Sequence, residues 1–404
     1  MNMAELKTRL WTKNFVLIST INFLLTLVFY LLVVTIAMYA ADTYHATTSQ
    51  AGLVTGTFII GTLISRLFMG RLITRIGRKR TLWIGTLFFT LTTLLYFVEF
   101  GITFLLFTRF VHGLALGMAS TASGTIIAQI IPVARKGEGI GYYSMSATLA
   151  TAFGPFIGLM MSQHASFAAI FLFCLMLGVL SITLSIFVHL PPLETDSLEP
   201  QTRGIKLSSY LEPAALPIAI ITLGIAFCYS SVLSFLNSYA ADINLTEAAS
   251  FFFIIYAISI LISRPFTGRL MDLKGPNLIM YPGFILLASG MLLLGTANSA
   301  FTLLLSGVLI GLGFGNMQSC TQAIAVKLTP PHRMGLATST FYIFLDGGLG
   351  FGPSLLGLII PYTGFSYMFI YLGIGSLFLI ILYYFLHGRK EREIRSQGKS
   401  TISL

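Results

Sequence analysis

Leu63–Leu72 reads LISRLFMGRL, and Leu261–Leu270 reads LISRPFTGRL, with eight of ten positions identical at an offset of 198. Other landmarks keep the same spacing. Gly113 and Gly117 match Gly311 and Gly315, Pro132 and Arg135 match Pro330 and Arg333, and Phe153-Gly154-Pro155 matches Phe351-Gly352-Pro353. Tyr39-Ala-Ala-Asp42 and Tyr239-Ala-Ala-Asp242 agree at an offset of 200, so a small slip is expected in a loop. A half-chain period this constant means two copies of one structural unit. In an apolar chain, such duplication points to a transporter whose site lies between the halves.

The chain is strongly apolar: 55% of its 404 residues are hydrophobic and 9% charged, against roughly 25% charge in a soluble domain. A helix rising 1.5 Å per residue needs about 20 apolar residues to cross a hydrocarbon core about 30 Å thick. Twelve runs meet this expectation: Phe15–Ala37, Ala51–Gly70, Leu82–Phe97, Phe104–Ile131, Ile140–Met161, Phe167–Val188, Pro217–Ser238, Ala249–Leu270, Leu278–Ala297, Phe301–Leu328, Leu336–Ile359 and Tyr367–Leu386. The expected fold is an all-α membrane protein of twelve transmembrane helices in two six-helix, pseudo-symmetric bundles.

With the spans drawn, 21 of the 24 Lys and Arg fall on one face. They lie in the amino-terminal tail (Lys7, Arg9, Lys13), in the even-numbered loops and in the carboxy-terminal tail. The remaining three, Arg66, Arg109 and Arg264, lie inside spans. The positive-inside rule then predicts a multi-pass protein of the cell membrane with both termini cytoplasmic. The net charge of +10 reflects this topology and adhesion to anionic membrane lipid. It is spread over many short loops, which argues against nucleic acid as a partner. Cys174, Cys228 and Cys320 sit in three different spans without metal-ligand spacing, so neither a disulfide framework nor a metal site is expected. The first helix is too long to be the core of a cleaved signal and is expected to remain as an anchor.

The longest polar stretch, PPLETDSLEPQTRGIKLSSYLEP at Pro191–Pro213, is the one credible linker. It divides the chain into an amino-terminal bundle (1–190), a cytoplasmic linker (191–213), a carboxy-terminal bundle (214–388) and a basic tail (389–404). Six helices per half is an even number, so the repeats enter the membrane from the same side, related by an axis along its normal. The short remaining connections leave little room for a catalytic domain. No nucleotide-binding loop of the G-x-x-x-x-G-K-[ST] kind is present, so neither an enzyme nor ATP-driven pumping is expected, and no cofactor.

Two six-helix halves, a long central loop and the sequence Gly70-Arg-Leu-Ile-Thr-Arg-Ile-Gly77-Arg-Lys79 after the second span together resemble the major facilitator superfamily over essentially the whole chain. The loop matches that superfamily's G-x-L-x-D-R-x-G-R-R signature at Gly70, Leu72, Arg75, Gly77, Arg78 and Lys79. It departs at Thr74, where the family has Asp, while the second copy keeps an acid, Asp272. The resemblance implies a conformational latch formed by Gly70, Arg75, Gly77, Arg78, Lys79 and Asp272. Equally, five cations beside one membrane surface enforce topology whatever else they do. Arg109-Phe-Val-His112-Gly113-Leu-Ala-Leu-Gly117 resembles the family's R-x-x-x-G motif, associated with proton coupling. Gly141, Ala150, Gly154-Pro155 and Gly158 resemble the fifth-helix motif of drug–proton antiporters, with Ala150 and Leu159 replacing two of its glycines. Gly154-Pro155 and the matching Gly352-Pro353 free backbone groups that can bend their helices.

A charge near the bilayer centre costs roughly 2.5–3.5 kcal/mol on insertion scales, so each one needs an explanation. Asp346 is the one acid read near mid-membrane, and burial is how a carboxyl comes to exchange protons near neutral pH. It is the first candidate for proton coupling; contact with a cationic substrate and a purely structural pairing are its alternatives. Arg109, and His112 one turn on along the same face, are the others, against the plainer readings of snorkelling and packing. Substrate contacts are expected from polar residues at helical spacing: Asn22, Thr26 and Tyr30 in the first span, Ser230, Ser234 and Asn237 in the seventh, Asn316 and Gln318 or Gln322 in the tenth, and Tyr342 beside Asp346. Ordinary interhelical hydrogen bonds explain the same residues.

The function these readings imply is a secondary active exporter of small amphipathic molecules. It works by proton antiport and alternating access, as a monomer, with sodium as the alternative coupling ion. Export of one specific metabolite, such as a sugar, an amino-acid derivative or a metal chelator, stands beside it. So does a non-transporting receptor on the same fold.

Overall fold

The computed structural model describes residues 9–190 and 209–391. Lys7, most of the linker with Arg203 and Lys206, and the tail from residue 392 onward with Arg392, Arg395 and Lys399 lie outside the described residues. The chain is helical throughout, with no strand among the described residues. In order the helices are α1 (Lys13–Tyr44), α2 (Thr48–Ile76), α3 (Arg78–Thr93, followed by the turn Leu94–Phe97), α4 (Ile102–Ile130), α5 (Lys136–His164) and α6 (Phe167–Ile186). After the linker come α7 (Leu216–Asp242), α8 (Thr246–Lys274), α9 (Asn277–Gly295), α10 (Ala300–Lys327), α11 (Met334–Gly357) and α12 (Ile360–Tyr383).

Ten of these helices are long and apolar enough to cross a membrane. Two fall outside the ten. α3 has only 16 residues before its backbone tightens. In α11, Asp346, Tyr342 and a run of glycines dilute the apolar sequence. Helices suit lipid because every backbone group is satisfied within the segment. Several hydroxyls inside them are satisfied the same way: Thr62, Thr86 and Thr222 donate to the carbonyls of Phe58, Leu82 and Ile218, each four residues back. Helix starts carry side-chain caps, as where Thr47 and Gln50 form a reciprocal capping box and Ser166 accepts from the Ala169 N–H.

The repeat seen in the sequence recurs in the backbone. α2 ends at Gly77 with φ of 90°, and α8 ends at Gly275, 198 residues later, with φ of 87°. That conformation is closed to most side chains, so each loop turns on a glycine. The two-residue slip lies at the ends of α1 and α7, since α1 runs on to Tyr44 while α7 stops at Asp242. Each reversal then uses one left-handed residue, His45 or Asn244.

The chain divides into two compact units. The first comprises Met1–Pro132, Ser146–Glu212 and Thr329–Ile343, and the second Val133–Met145, Pro213–Leu328 and Phe344–Leu404. Two short stretches are therefore exchanged relative to the sequence halves: the start of α5 belongs to the second unit and the start of α11 to the first. Within the first unit α2 crosses α4 closely, because a methyl at Gly113 would strike the Phe58 carbonyl and one at Gly61 the Phe110 carbonyl. Within the second, α8 crosses α10 at the equivalent place, where a methyl at Gly311 would lie 2.7 Å from the Tyr256 carbonyl oxygen. Here α10 departs from symmetry, widening into a π-helical turn over Gly311–Gly315.

Candidate functional site

The first unit holds a polar centre wholly inside the protein. Arg109 and His112 of α4 are both 0% exposed. Arg109 Nε donates to the Val54 carbonyl of α2 at 3.2 Å, its guanidinium carbon stands 4.3 Å from the centre of the Phe58 ring, and its Nη1 donates to the Tyr96 hydroxyl at 3.1 Å. Tyr96 is 3.0 Å from His112 Nδ1, so a single phenol joins the two residues that the sequence singled out. Nothing in the sequence marked Tyr96. It lies in the turn after α3, and only the packing of α3 on α4 brings it to them.

A second arrangement surrounds the loops after α2 and α8, and it is built twice. In the first unit a methyl at Gly70 would lie 2.7 Å from Ser339 Cβ and 3.3 Å from the Gly335 oxygen. In the second a methyl at Gly268 would lie 2.8 Å from Glu138 Cα and 3.0 Å from the Gly137 oxygen. Gly70 and Gly268, like Gly137 and Gly335, are 198 residues apart, so α2 meets the start of α11 as α8 meets the start of α5. The buried arginines follow suit. Ser339 Oγ donates to the Arg66 carbonyl, while Arg264 Nη1 donates to the Gly141 carbonyl at 2.9 Å and Nη2 to that of Gly315 at 2.8 Å.

The polar chemistry at these two crossings is not symmetric. Asp272 accepts the N–H groups of Gly137 and Glu138, each at 2.8 Å, and pairs with Lys327 Nζ at 2.7 Å. It thus caps the amino terminus of α5, where a carboxylate satisfies orphan donors and meets the positive end of the helix dipole. The equivalent position in the first unit is Thr74, exposed and donating to the Arg71 carbonyl at 2.8 Å. There the polar connection runs instead from Arg78 Nη1 to Gln129 Oε1 at 2.7 Å, and from Gln129 Nε2 to the Pro331 carbonyl at 3.2 Å. Gln129 and Lys327 are themselves 198 residues apart, a signal present in the sequence and not used. Of the other latch candidates, Arg75 and Lys79 lie on the surface and Gly77 forms the turn.

The linker's end adds residues that sequence reasoning missed. Glu212, 5% exposed, pairs with Arg333 at 2.6 Å, and its N–H donates to Thr340 Oγ1 at 2.8 Å. Tyr210 sits edge-on to Phe68, with the Arg71 guanidinium 5.6 Å from its ring centre.

The expected substrate residues fall into both units. In the first, Asn22 is buried and donates to Ser146 Oγ at 2.8 Å. Thr26 is partly exposed, Tyr30 packs against Gly154, and the Tyr342 ring centre is 4.3 Å from the Arg66 guanidinium carbon. In the second, Ser230 is buried against Gly352 and donates to the Phe227 carbonyl at 2.7 Å, while Ser234 and Asn237 are exposed. Asn316 is buried, accepts from Thr267 and donates to Ser263 and the Leu312 carbonyl, each at 2.9 Å, and lines a small cavity with Thr267, Gly268 and Ser319. Gln318 is partly exposed and Gln322 is buried. Asp346 is half-buried in the middle of α11. Pro155 and Pro353 lie inside α5 and α11. Among the described residues no group of three His, Cys, Asp or Glu is placed to hold a metal.

The family model described as Major Facilitator Superfamily matches residues 18–288 and 240–403. An MFS-type transporter of Methanocaldococcus jannaschii, MJ1560, is 28% identical over 357 residues, covering 86% of this chain and 91% of its own. The quinolone resistance protein NorA of Staphylococcus aureus is 29% identical over 202 residues, covering 48% of this chain and 50% of NorA, so that match spans about half of each. Among solved structures, the crystal structure of the human organic anion transporter MFSD10 (TETRAN) superposes with a TM-score of 0.75 at 14% identity, covering 92% of this chain and 98% of that one, a likeness of fold.

Proposed function

The chain belongs to the Major Facilitator Superfamily, a family of transporters and not of enzymes, and we propose that it exports small amphipathic molecules in exchange for protons. The observation that carries this reading is Asp346, an acid half-buried in the middle of α11, where the other charges held deep inside helices, Arg66, Arg109 and Arg264, are cations. A carboxyl so placed takes up and releases a proton at far lower cost than it holds a permanent charge. The resemblance of half the chain to a quinolone resistance protein supports outward transport of drug-like compounds. Arg109, which Tyr96 links to His112, is the second polar element on which coupling depends. The polar faces of α1 (Asn22, Thr26, Tyr30) and α7 (Ser230, Ser234, Asn237), with Gln318 and Tyr342, contact the substrate.

In this proposal α3 and α11 complete twelve spans, the protein lies in the cell membrane, and both termini face the cytoplasm. Asp272 on the amino terminus of α5 is the charged part of the latch, in place of the acid lacking at Thr74. Gly154-Pro155 and Gly352-Pro353 are the points at which α5 and α11 flex during alternating access.

The test is proton movement in inside-out vesicles holding an acid interior. A quinolone, a panel of lipophilic cations and a panel of small metabolites are added to wild type and to Asp346→Asn. Release of protons by a quinolone or lipophilic cation in wild type alone supports antiport and names the substrate class. Release by one metabolite and indifference to drugs replaces the reading with a narrow exporter. No release by any compound from folded protein overturns it.

A further inference from the structure

The polar centre around His112 has a direction, and the direction is fixed by counting hydrogens. Arg109 Nη1 can only donate, so at 3.1 Å the Tyr96 oxygen accepts from it. The Tyr96 hydrogen then needs an acceptor, and His112 Nδ1 at 3.0 Å is the one within reach. At the far end, Thr93 Oγ1 donates to the Phe89 carbonyl at 2.9 Å, which leaves its oxygen to accept from His112 Nε2 at 3.4 Å. The chain therefore runs Arg109 to Tyr96 to His112 to Thr93 to the Phe89 carbonyl, each hydrogen used once. It requires an imidazole with a bare Nδ1 and a hydrogen on Nε2, which is the neutral ring in one tautomer.

A proton on Nδ1 breaks every link upstream. Two cations would then point at the one Tyr96 oxygen, and the phenol hydrogen would have to turn away among Phe89, Phe58 and Phe171, whose rings surround this place. Among the described residues, the charged or titratable groups around the imidazole are Arg109 on its own helix, Tyr96 after α3, and Cys174 of α6, which lies in the field of both. None is an acid that would offset the added charge. From α2 come only the Phe58 ring and the Val54 carbonyl that Arg109 already holds.

We infer that His112 does not carry the coupled proton: it is a positioning residue, a permanently neutral acceptor that orients the Tyr96 hydroxyl and so fixes the Arg109 guanidinium between α2 and α3. Arg109 is held at two points, the Val54 carbonyl and the Tyr96 oxygen, and the second exists only while Tyr96 has His112 to donate to. Proton traffic is left to groups elsewhere. This deepens the proposed proton coupling and rests on that reading only for its transport consequence.

The first test does not depend on transport. Full-length protein carrying nitrogen-15 histidine is placed in lipid nanodiscs, and the ring nitrogens are followed by NMR from about pH 5 to about pH 9, the range in which an ordinary histidine titrates. His112 is one of six histidines, and its signal is identified by its loss in His112→Gln. The expected result is a neutral ring with hydrogen on Nε2 at every pH, and a mixture of tautomers in Tyr96→Phe. Titration of His112 within that range, or hydrogen on Nδ1, overturns the inference. The second test is the pH profile of quinolone-driven proton release in vesicles. His112→Gln, whose amide oxygen still accepts from Tyr96, is expected to keep the wild-type midpoint, and a shift of a full pH unit overturns the assignment. Tyr96→Phe is expected to slow release at least tenfold at every pH. If wild type releases no protons with any compound, the antiport reading fails and the nitrogen spectra alone decide the role of His112.

Discussion

Glu212 Oε2 accepts the Arg333 Nε–H at 2.6 Å, and through this pair the end of the central linker supplies a carboxylate that the local sequence lacks. The counterpart of Arg333 in the first repeat is Arg135, which pairs at 2.8 Å with Glu138, three residues on in the first turn of α5. The residue matching Glu138 is Leu336, so Arg333 has no such neighbour. A residue from outside the repeat fills the role. Because Glu212 is 5% exposed, Arg333→Ala leaves a buried carboxylate without its cation, at an expected cost of about 1–3 kcal/mol. Glu212→Gln, which keeps an acceptor, costs less. Thermal unfolding in detergent is the check, and an Arg333→Ala midpoint equal to wild type would remove the linker's end from the stability of this unit.

Asp272 caps α5 with two hydrogen bonds to N–H groups, whereas the residue at the equivalent position, Thr74, donates to the Arg71 carbonyl. Asp272→Ala is expected to destabilise the protein by about 1–2 kcal/mol, the upper range for a partly buried charge at a helix terminus. Thr74→Asp is expected to do the opposite and stabilise by about 0.3–1 kcal/mol. Melting midpoints of the two variants should therefore move in opposite directions. A loss in both would mean that the two crossings differ in more than one charge.

Gly70, inside the last two turns of α2, and Gly77, in the turn that follows it, are glycine for different reasons. At Gly70 a methyl would lie 2.7 Å from Ser339 Cβ, so Gly70→Ala forces α2 and α11 apart and costs about 1–3 kcal/mol by overpacking. Around Gly77 there is open space but φ is 90°, so Gly77→Ala carries only the conformational cost of about 1–2 kcal/mol. Gly77→Asn should lose about as much as Gly77→Ala, because a ψ of 134° puts the residue outside the left-handed well that Asn tolerates, whereas the larger side chain of Gly70→Asn should lose more than Gly70→Ala. Unfolding curves for the four variants separate these causes.

Asp346→Asn keeps the shape of α11 and removes its titratable carboxyl. Expected are normal folding, at least a tenfold loss of compound-driven proton release, and transport whose remaining rate no longer varies with pH. Retained pH dependence in this variant would place the proton elsewhere.

Arg109→Lys keeps a cation but loses the planar fork that reaches both the Val54 carbonyl and the Tyr96 hydroxyl. It is expected to lose transport about as fully as Arg109→Ala. Recovery by lysine to within threefold of wild type would show that charge alone matters at this position.

The sequence by itself determined the duplication, the helical and apolar character of the chain, the loop glycines and the family. These depend on spacing along one strand of residues: an offset of 198, apolar runs of helical length, and a loop signature whose turn needs glycine. It also singled out Arg109, His112 and Asp272, since a charge or an imidazole at its place in the chain is conspicuous without knowledge of its neighbours. Tertiary structure decided the partners. Tyr96 joins Arg109 to His112 only because α3 packs on α4, Glu212 reaches Arg333 across 121 residues, and Asp272 finds the start of α5 across 135. Packing likewise decided that the Asn316 amide bonds to Ser263 and Thr267 of α8. The physical reason is the range of a hydrogen bond, about 3 Å, which links whatever side chains the packing of helices brings together and leaves no periodic trace in the sequence.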